Sequence, residues 1–426
     1  MAHRVHWRKH HRIMAGVLIA VILIGGGLLM AQDKETLQLR SPLSADDPRF
    51  PDYLARLVGH PLTHGDAYQV HTDAHDAFPA MLATIDHARE RVCFETYNYE
   101  SGKAGEQFTT AFAAAAQRGV RVRLVLDAIG SKKLGRESIE RLKSAGVSIG
   151  WINPLLGATI QHANYRTHRK ALVVDGVVAF VGGMGVADQW LLDRNNVPPW
   201  RDTQVELRGP VVSDVEAAFN QNWILIGGIV EPEVAPTGPE PAGTGESIVV
   251  WSSRQGGVNE LKLLDLLAIA AARHRVDIES PYLITDESSK WVIRDARQRG
   301  VRIRMLVDGD ITDAIPVKYA SRADYEALLQ QGVEIAEYQP TMMHAKVAII
   351  DDDLSIVGSA NFDNRSLEMN DELNVAIFDR ELAGRLRADF DRDLTRSKTL
   401  RLDRWRARPL TEKTRDWLFS YFGEVF

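Results

Sequence analysis

The hydrophobic pattern changes period several times along the chain. The first signal is an unbroken apolar run, IMAGVLIAVILIGGGLLMA, from Ile13 to Ala31. As a helix it would extend roughly 28 Å, close to the hydrocarbon thickness of a bilayer. Arg4, Arg8, Lys9 and Arg12 precede it, and Asp33, Lys34 and Glu35 follow. Cations on the N-terminal side predict that this end stays in the cytoplasm. The run closes on Leu29-Met30-Ala31, without the small-x-small spacing of a cleavage site. It therefore reads as an uncleaved anchor. The expectation is a basic tail over 1–12, a transmembrane helix over 13–31, and the rest of the chain across the membrane.

Beyond a polar tether reaching Phe50, strand and helix patterns alternate. Ala74–Arg89 predicts a helix, RVCFETYNY (Arg91–Tyr99) a strand, and the Ala-rich Lys103–Arg118 another helix. Val120–Asp127 predicts a strand and Arg136–Ala145 a helix stopped by Gly146. Such alternation favours an α/β fold with helices packed on a sheet. Glu231–Glu246, EPEVAPTGPEPAGTGE, holds almost no large apolar residue and reads as a linker.

After that linker the pattern repeats. RVDIESPYL (Arg275–Leu283) echoes RVCFETYNY, and QRGVRIRMLVD (Gln298–Asp308) echoes QRGVRVRLVLD (Gln117–Asp127). A helix over Ser321–Gln331, stopped by Gly332, echoes Ala145-Gly146. The offset stays near 180 positions. The chain therefore reads as an internal duplication, with half 1 over 50–230, half 2 over 247–400 and a basic, aromatic C-terminal element over 401–426. Two similar halves can pair about a pseudo-twofold axis, so a site on that axis receives one set of residues from each.

Composition changes this picture little. The chain has 426 residues, 45% hydrophobic and 25% charged, which is ordinary for a globular protein. A formal charge of −6 argues against a nucleic-acid backbone as the main partner. The single cysteine, Cys93, can form no internal disulfide and reads as a buried core thiol.

The candidate chemistry lies in a second pair of matching stretches, THRKALVVDGVVAFVGG and MHAKVAIIDDDLSIVGSAN. Each holds a His-x-Lys followed by an Asp: His168, Lys170, Asp175, and His344, Lys346, Asp351. Residues two apart on a strand share a face, so each His stands beside its Lys. The Asp falls at an odd spacing, and Asp175-Gly176 between apolar runs signals a hairpin turn, so both Asp residues read as structural. Two His and two Lys on one axis suit an anionic phosphorus centre. The lysines neutralise its oxygens, one imidazole attacks and the other protonates the leaving alcohol.

These paired motifs resemble the phospholipase D superfamily, and most closely its bacterial cardiolipin synthases. The resemblance rests on the two motifs, on WRDTQVELRGPVV (Trp200–Val212), on SPYL, and on SANFDNRSLEMNDELN after the second motif. It covers roughly residues 65–410. It implies two similar halves sharing one site, a phosphohistidine intermediate and no cofactor or metal. It groups Asp175 and Asp351 with the catalytic His and Lys residues. It further implies an acidic orienter for each imidazole, by position Asp202 for His168 and Glu372 for His344. Ser359 and Asn361 are implied as phosphate contacts, and His168 as the nucleophile with His344 as the acid. The first half departs from the family pattern, with Gly185 where an Asn is expected.

The implied activity is phosphatidyl transfer at the inner membrane of a bacterium, on its extracytoplasmic side. The implied substrates are phospholipids, with phosphatidylglycerol as donor and acceptor and the bilayer as partner; no nucleic acid is expected. If water accepts the phosphatidyl group, the enzyme is instead a hydrolase giving phosphatidic acid. A superfamily nuclease and an inactive lipid-binding scaffold are the more distant alternatives. The C-terminal DWLFSYFGEVF, Asp416–Phe426, either lies on a membrane surface or packs against the catalytic body.

Overall fold

The computed structural model describes residues 36–153, 166–230, 239–252 and 260–421, with the side chain of residue 368 left out. The expected tail and membrane span over 1–31 lie outside the described residues. Among the described residues no helix is long and apolar enough to cross a membrane.

Half 1 contributes strands β1 (Thr63–His71), β2 (Arg91–Thr96), β3 (Arg121–Asp127), β4 (Ser148–Ile152), β5 (Ala171–Val174), β6 (Val178–Gly182) and β7 (Gln204–Arg208). Half 2 contributes β8 (Gly245–Trp251), β9 (Arg275–Glu279), β10 (Arg302–Asp308), β11 (Glu334–Tyr338), β12 (Val347–Ile350), β13 (Leu354–Gly358), β14 (Leu373–Phe378) and β15 (Ser397–Thr399). All are hydrogen-bonded in the order β15-β11-β10-β9-β12-β13-β14-β8-β1-β7-β6-β5-β2-β3-β4. Read outward from the central β8–β1 pair, the two arms have matching sequences of strands. This is the pseudo-twofold that the duplication predicts. The repeated QRGVR stretches are the helix ends and strands that begin β3 and β10, each parallel to its neighbours.

The strands of each arm are apolar on both faces because each arm is covered on both sides. On β5, Leu172 and Val174 face a core made with the helices Ala74–Asp86 and Lys103–Gln117. Ala171 and Val173 face a second core shared with Val347 and Ile349 of β12. That shared core, with Val215 and Phe219 of helix Val211–Leu225 and Phe390 of helix Arg380–Leu394, holds the halves together. Cys93 is buried in it, and burial pushes its thiol up to about 12.

Two boundaries differ from the sequence pattern. The helix Phe50–Val58 packs Phe50, Leu54 and Val58 onto the core of half 2, against Leu261 and Leu264, although the sequence pattern assigns it to half 1. Its apolar stripe needs cover, and half 2 supplies it. The helix expected from Ser321 starts earlier, at Ile315, with Pro316 in its first turn where a missing N–H costs nothing.

Candidate active site

Each His-x-Lys lies in the segment leading into a central strand, β5 or β12, rather than inside it. That segment is fastened by the Asp ending the repeated QRGVR stretch. Asp127 accepts from the backbone N–H of Thr167 at 3.3 Å, and Asp308 from that of Met343 at 3.0 Å. The residue before each His is thereby anchored to the parallel strand of its own half. The function of these two aspartates was not evident from the sequence, although the repeat marked them.

On its other side each lead-in runs beside the opposite half. The His168 N–H donates to the carbonyl of Asp371 at 2.8 Å, and the His344 N–H to that of Arg201 at 2.7 Å. Asp371 precedes Glu372, and Arg201 precedes Asp202. The carboxylates therefore meet the imidazoles crosswise. His168 Nδ1 lies 2.8 Å from Glu372 Oε1, and His344 Nδ1 lies 2.7 Å from Asp202 Oδ2. This corrects the pairing expected from sequence position, in which each His took the carboxylate downstream in its own half. Both carboxylates are fully buried. Burial alone would raise them, but the facing imidazole and lysine charges prevail and hold both below the usual carboxylate range.

The lysines are almost completely buried, and each donates to the carbonyl of its own histidine: Lys170 Nζ at 2.8 Å and Lys346 Nζ at 2.6 Å. Burial lowers both, Lys170 to about 7. Burial likewise lowers His168, to about 4, and His344. The charge of Lys346 acts on His168 and that of Lys170 on His344, so the four cationic groups share one site. In such a site a bound phosphodiester anion favours the protonated lysines.

The remaining expectations divide. Asp175 and Asp351 sit in left-handed turns, φ 53° and 48°, between the paired strands β5–β6 and β12–β13. Asp175 accepts from the N–H groups of Arg89, Glu90 and Arg91, and Asp351 from those of Arg273, His274 and Arg275. Their carboxylates tie each hairpin to the start of β2 or β9. This is the geometry of the structural reading, with both carboxylates turned to backbone N–H groups.

The Ser359 hydroxyl is engaged within the protein. Its hydroxyl donates to Glu372 Oε2 at 2.5 Å and accepts from the Leu373 N–H at 3.0 Å, so it steadies the carboxylate behind His168. Asn361 has a buried Oδ1 without a partner, which leaves its amide open to a ligand.

The first half solves the same problem with different residues. A Cβ at Gly183, the counterpart of Ser359, would meet Asp202 Oδ1 at 2.2 Å. With no room there, the donor to Asp202 Oδ2 is Trp190 Nε1, at 2.9 Å. The same indole, with Asn98, crowds Gly185. A Cβ there would meet Asn98 Cβ at 2.8 Å and the Trp190 ring at 3.2 Å. A side chain at position 185 has no room, because Asn98 and the tryptophan together fill the space. Trp200 stacks on His344 with centroids 5.5 Å apart, while Tyr97 approaches His168 edge-on at 5.3 Å. Trp190 had no sequence signal, since its role depends on a carboxylate twelve positions away in the chain.

Comparison with known proteins agrees with the two-halved fold. The family described as "Cardiolipin synthase, PLD-like domain" matches residues 81–223 and 266–394, one block in each half. The chain belongs to this family. A probable cardiolipin synthase YwiE of Bacillus subtilis is 31% identical over 92% of this chain and 79% of its own length. A cardiolipin synthase of Geobacillus kaustophilus is 30% identical over 83% of this chain and 71% of its own. The crystal structure of phosphatidylserine synthase from Haemophilus influenzae superposes with a TM-score of 0.69 at 12% identity, covering 88% of this chain and all of that one, a likeness of fold. As a member of the cardiolipin synthase family, the chain is a phospholipase D-superfamily phosphatidyltransferase acting on phospholipids.

Proposed function

We propose that this enzyme makes cardiolipin from two phosphatidylglycerols by double displacement, with His168 as nucleophile and His344 as acid and base. The observation that carries this is the crossed pairing: each imidazole presents Nδ1 to a buried carboxylate of the other half. A carboxylate that accepts the Nδ1–H leaves the lone pair on Nε2 and stabilises the imidazolium once Nε2 is bonded. His168 is the more exposed imidazole, 13% against 8%, and its low proton affinity keeps it neutral for attack.

In the first step His168 Nε2 bonds to phosphorus. The P–O bond to the head-group glycerol breaks, and His344 gives that oxygen its proton. In the second, His344 takes the proton from a head-group hydroxyl of another phosphatidylglycerol. The oxygen attacks phosphorus, the P–N bond breaks, and cardiolipin and glycerol are the products. Lys170 and Lys346 balance the charge on the non-bridging oxygens in both steps, and Asn361 supplies a further polar contact.

The N-terminal apolar run supports a single-pass anchor in the inner membrane, with the catalytic halves outside the cytoplasm. A reporter active only in the periplasm, fused after Phe426, should then be active, and a silent but well-expressed fusion would refute this topology.

The histidine roles are separated by the leaving group. A nitrophenolate departs without protonation; a glycerol alkoxide does not. His344→Ala should be nearly dead on phosphatidylglycerol yet release a burst of nitrophenol from a phosphatidyl-nitrophenol ester. His168→Ala should release nothing from either. A burst from His168→Ala, or label trapped on His344, reverses the assignment. Phosphatidic acid as the main product from pure phosphatidylglycerol would make the enzyme a hydrolase.

A further inference from the structure

The helix Leu410–Ser420 is amphipathic with its faces inverted. Its charged side points inward. Asp416 is 1% exposed and is held by Arg408 at 2.7 Å, Arg415 at 2.9 Å and Arg322 at 3.5 Å. The Arg415 guanidinium lies 3.7 Å over the Tyr319 ring, and Phe419 packs on the same ring at 5.4 Å. The outward side is apolar: Leu410 is 77% exposed, Trp417 55% and Leu418 52%, and Tyr421, capping the helix, 65%. At 3.6 residues per turn these four fall within an arc of about 100°. The residue between them on that arc, Thr414, carries no charge.

The stripe has a definite position relative to the site. Its helix runs antiparallel to Ile315–Gln330, as the pairs Arg406–Glu326 and Phe419–Tyr319 require. The latter helix begins just after β10, whose terminal Asp308 fastens the segment carrying His344. Trp417, Leu418 and Tyr421 thus lie with Ile315, itself 55% exposed, at the catalytic end of the sheet. Half of the large apolar side chains exposed among the described residues belong to this one surface.

We propose that this face docks the catalytic end of the enzyme onto an anionic phospholipid bilayer. Trp and Tyr are the side chains that settle at the boundary of head groups and acyl chains. Arg396–Asp416 holds eight Lys and Arg against three Asp and Glu, in a chain of net charge −6; Arg408 and Arg415 are spent on Asp416, while Arg401, Arg404 and Arg406 remain exposed beside the stripe. A basic rim on an otherwise acidic protein complements an anionic surface. The charge alone would also suit an acidic protein surface; the Trp and Tyr on the stripe favour the bilayer. The inference rests on a phospholipid being the substrate, because a site for such a substrate must meet the bilayer.

The test uses the full chain with an environment-sensitive fluorophore on Leu418→Cys; the native Cys93 is buried and unreactive. A second variant carries the label on Val177→Cys, at the exposed turn between β5 and β6. On reconstitution into phosphatidylglycerol vesicles the Leu418 label should shift to the blue and become shielded from an aqueous quencher, while the Val177 label stays accessible. The shift should be smaller with phosphatidylcholine. Equal accessibility of the two labels in phosphatidylglycerol vesicles overturns the proposal. So does shielding of the Leu418 label already in dilute detergent, since a segment of the chain or a second copy would then cover the face. Trp417→Glu with Leu418→Glu should raise the apparent KM for vesicular phosphatidylglycerol at least tenfold and leave turnover of a monomeric short-chain analogue within twofold. Equal losses on both substrates would also contradict docking. Wild-type enzyme inactive on any phospholipid would instead defeat the substrate reading, whatever the label reports.

Discussion

His168 and Glu372 lie 204 positions apart in the chain, yet Nδ1 of one is 2.8 Å from the carboxylate of the other. Asp202 serves His344 in the same crossed way at 2.7 Å. Neither half contains a complete imidazole–carboxylate pair, so neither is expected to act alone. Exchanging each carboxylate for its amide tests the crossing. Glu372→Gln should abolish phosphohistidine formation, with losses on the order of 10⁴-fold on both lipid and nitrophenyl ester. Asp202→Asn should be as damaging on phosphatidylglycerol but keep the nitrophenol burst. If Asp202→Asn were instead the variant unable to form phosphohistidine, the crossed assignment of roles would fail.

Lys170→Ala and Lys346→Ala should each lower kcat on phosphatidylglycerol by about 10²–10³-fold, the usual effect of deleting one preorganised stabiliser of transition-state charge. Both ammonium groups are buried against their own histidine carbonyls, so their removal should not lower the melting temperature by much. Steady-state kinetics beside thermal unfolding decides the matter. A stability loss large enough to account for the lost rate would remove the lysines from the chemistry.

Asp175→Asn should act on stability alone. Its carboxylate serves three backbone N–H groups at the start of β2, and an amide can serve at most part of them. A loss of about 1–3 kcal/mol is expected in denaturant unfolding. Specific activity of the folded fraction should be unchanged, and a fall in that activity at an unaltered unfolding midpoint would return Asp175 to the catalytic group.

Trp190→Phe keeps the ring that fills the space beside Gly185 but removes the N–H that holds Asp202. The effect should appear where His344 matters. Turnover of phosphatidylglycerol should fall about tenfold or more, while the nitrophenyl ester, which needs no acid, should be nearly unaffected. Equal losses on both substrates would make Trp190 a packing residue only.

Asp265 offers a pH test with one physical cause. Burial raises its carboxyl from 3.8 to about 7. In the folded protein it therefore stays protonated up to about pH 7, whereas unfolded it ionises near 3.8. Between those values the folded state binds more protons, so wild-type stability contributed by this group falls as pH rises and levels off above 7. Asp265→Asn does not titrate. Its stability relative to wild type should climb from pH 4 to pH 7, reaching no more than about 4 kcal/mol, and then stay constant. A difference independent of pH across that window would show that Asp265 ionises normally.

The sequence by itself determined the duplication, the α/β alternation and the doubled His-x-Lys on which the proposed chemistry rests. These are local signals. Period-two apolar runs, Gly stops and the doubled His-x-Lys survive in the order of residues, because a strand fixes which neighbours share a face. It also determined that Asp175 and Asp351 are turn residues, since spacing and the following Gly already described a hairpin.

Only the tertiary structure decided which carboxylate meets which imidazole. Both Asp202 and Glu372 were visible, and proximity in the chain suggested the pairing within each half. The pairing is set instead by backbone bridges between Thr167 and Asp371 and between Arg201 and Met343, contacts that exist only once the halves face each other. The same holds for Ser359, whose hydroxyl turns to Glu372, and for Trp190, whose indole replaces a donor that Gly183 cannot carry. The sequence names the groups; the packing of two buried arms against each other chooses their partners.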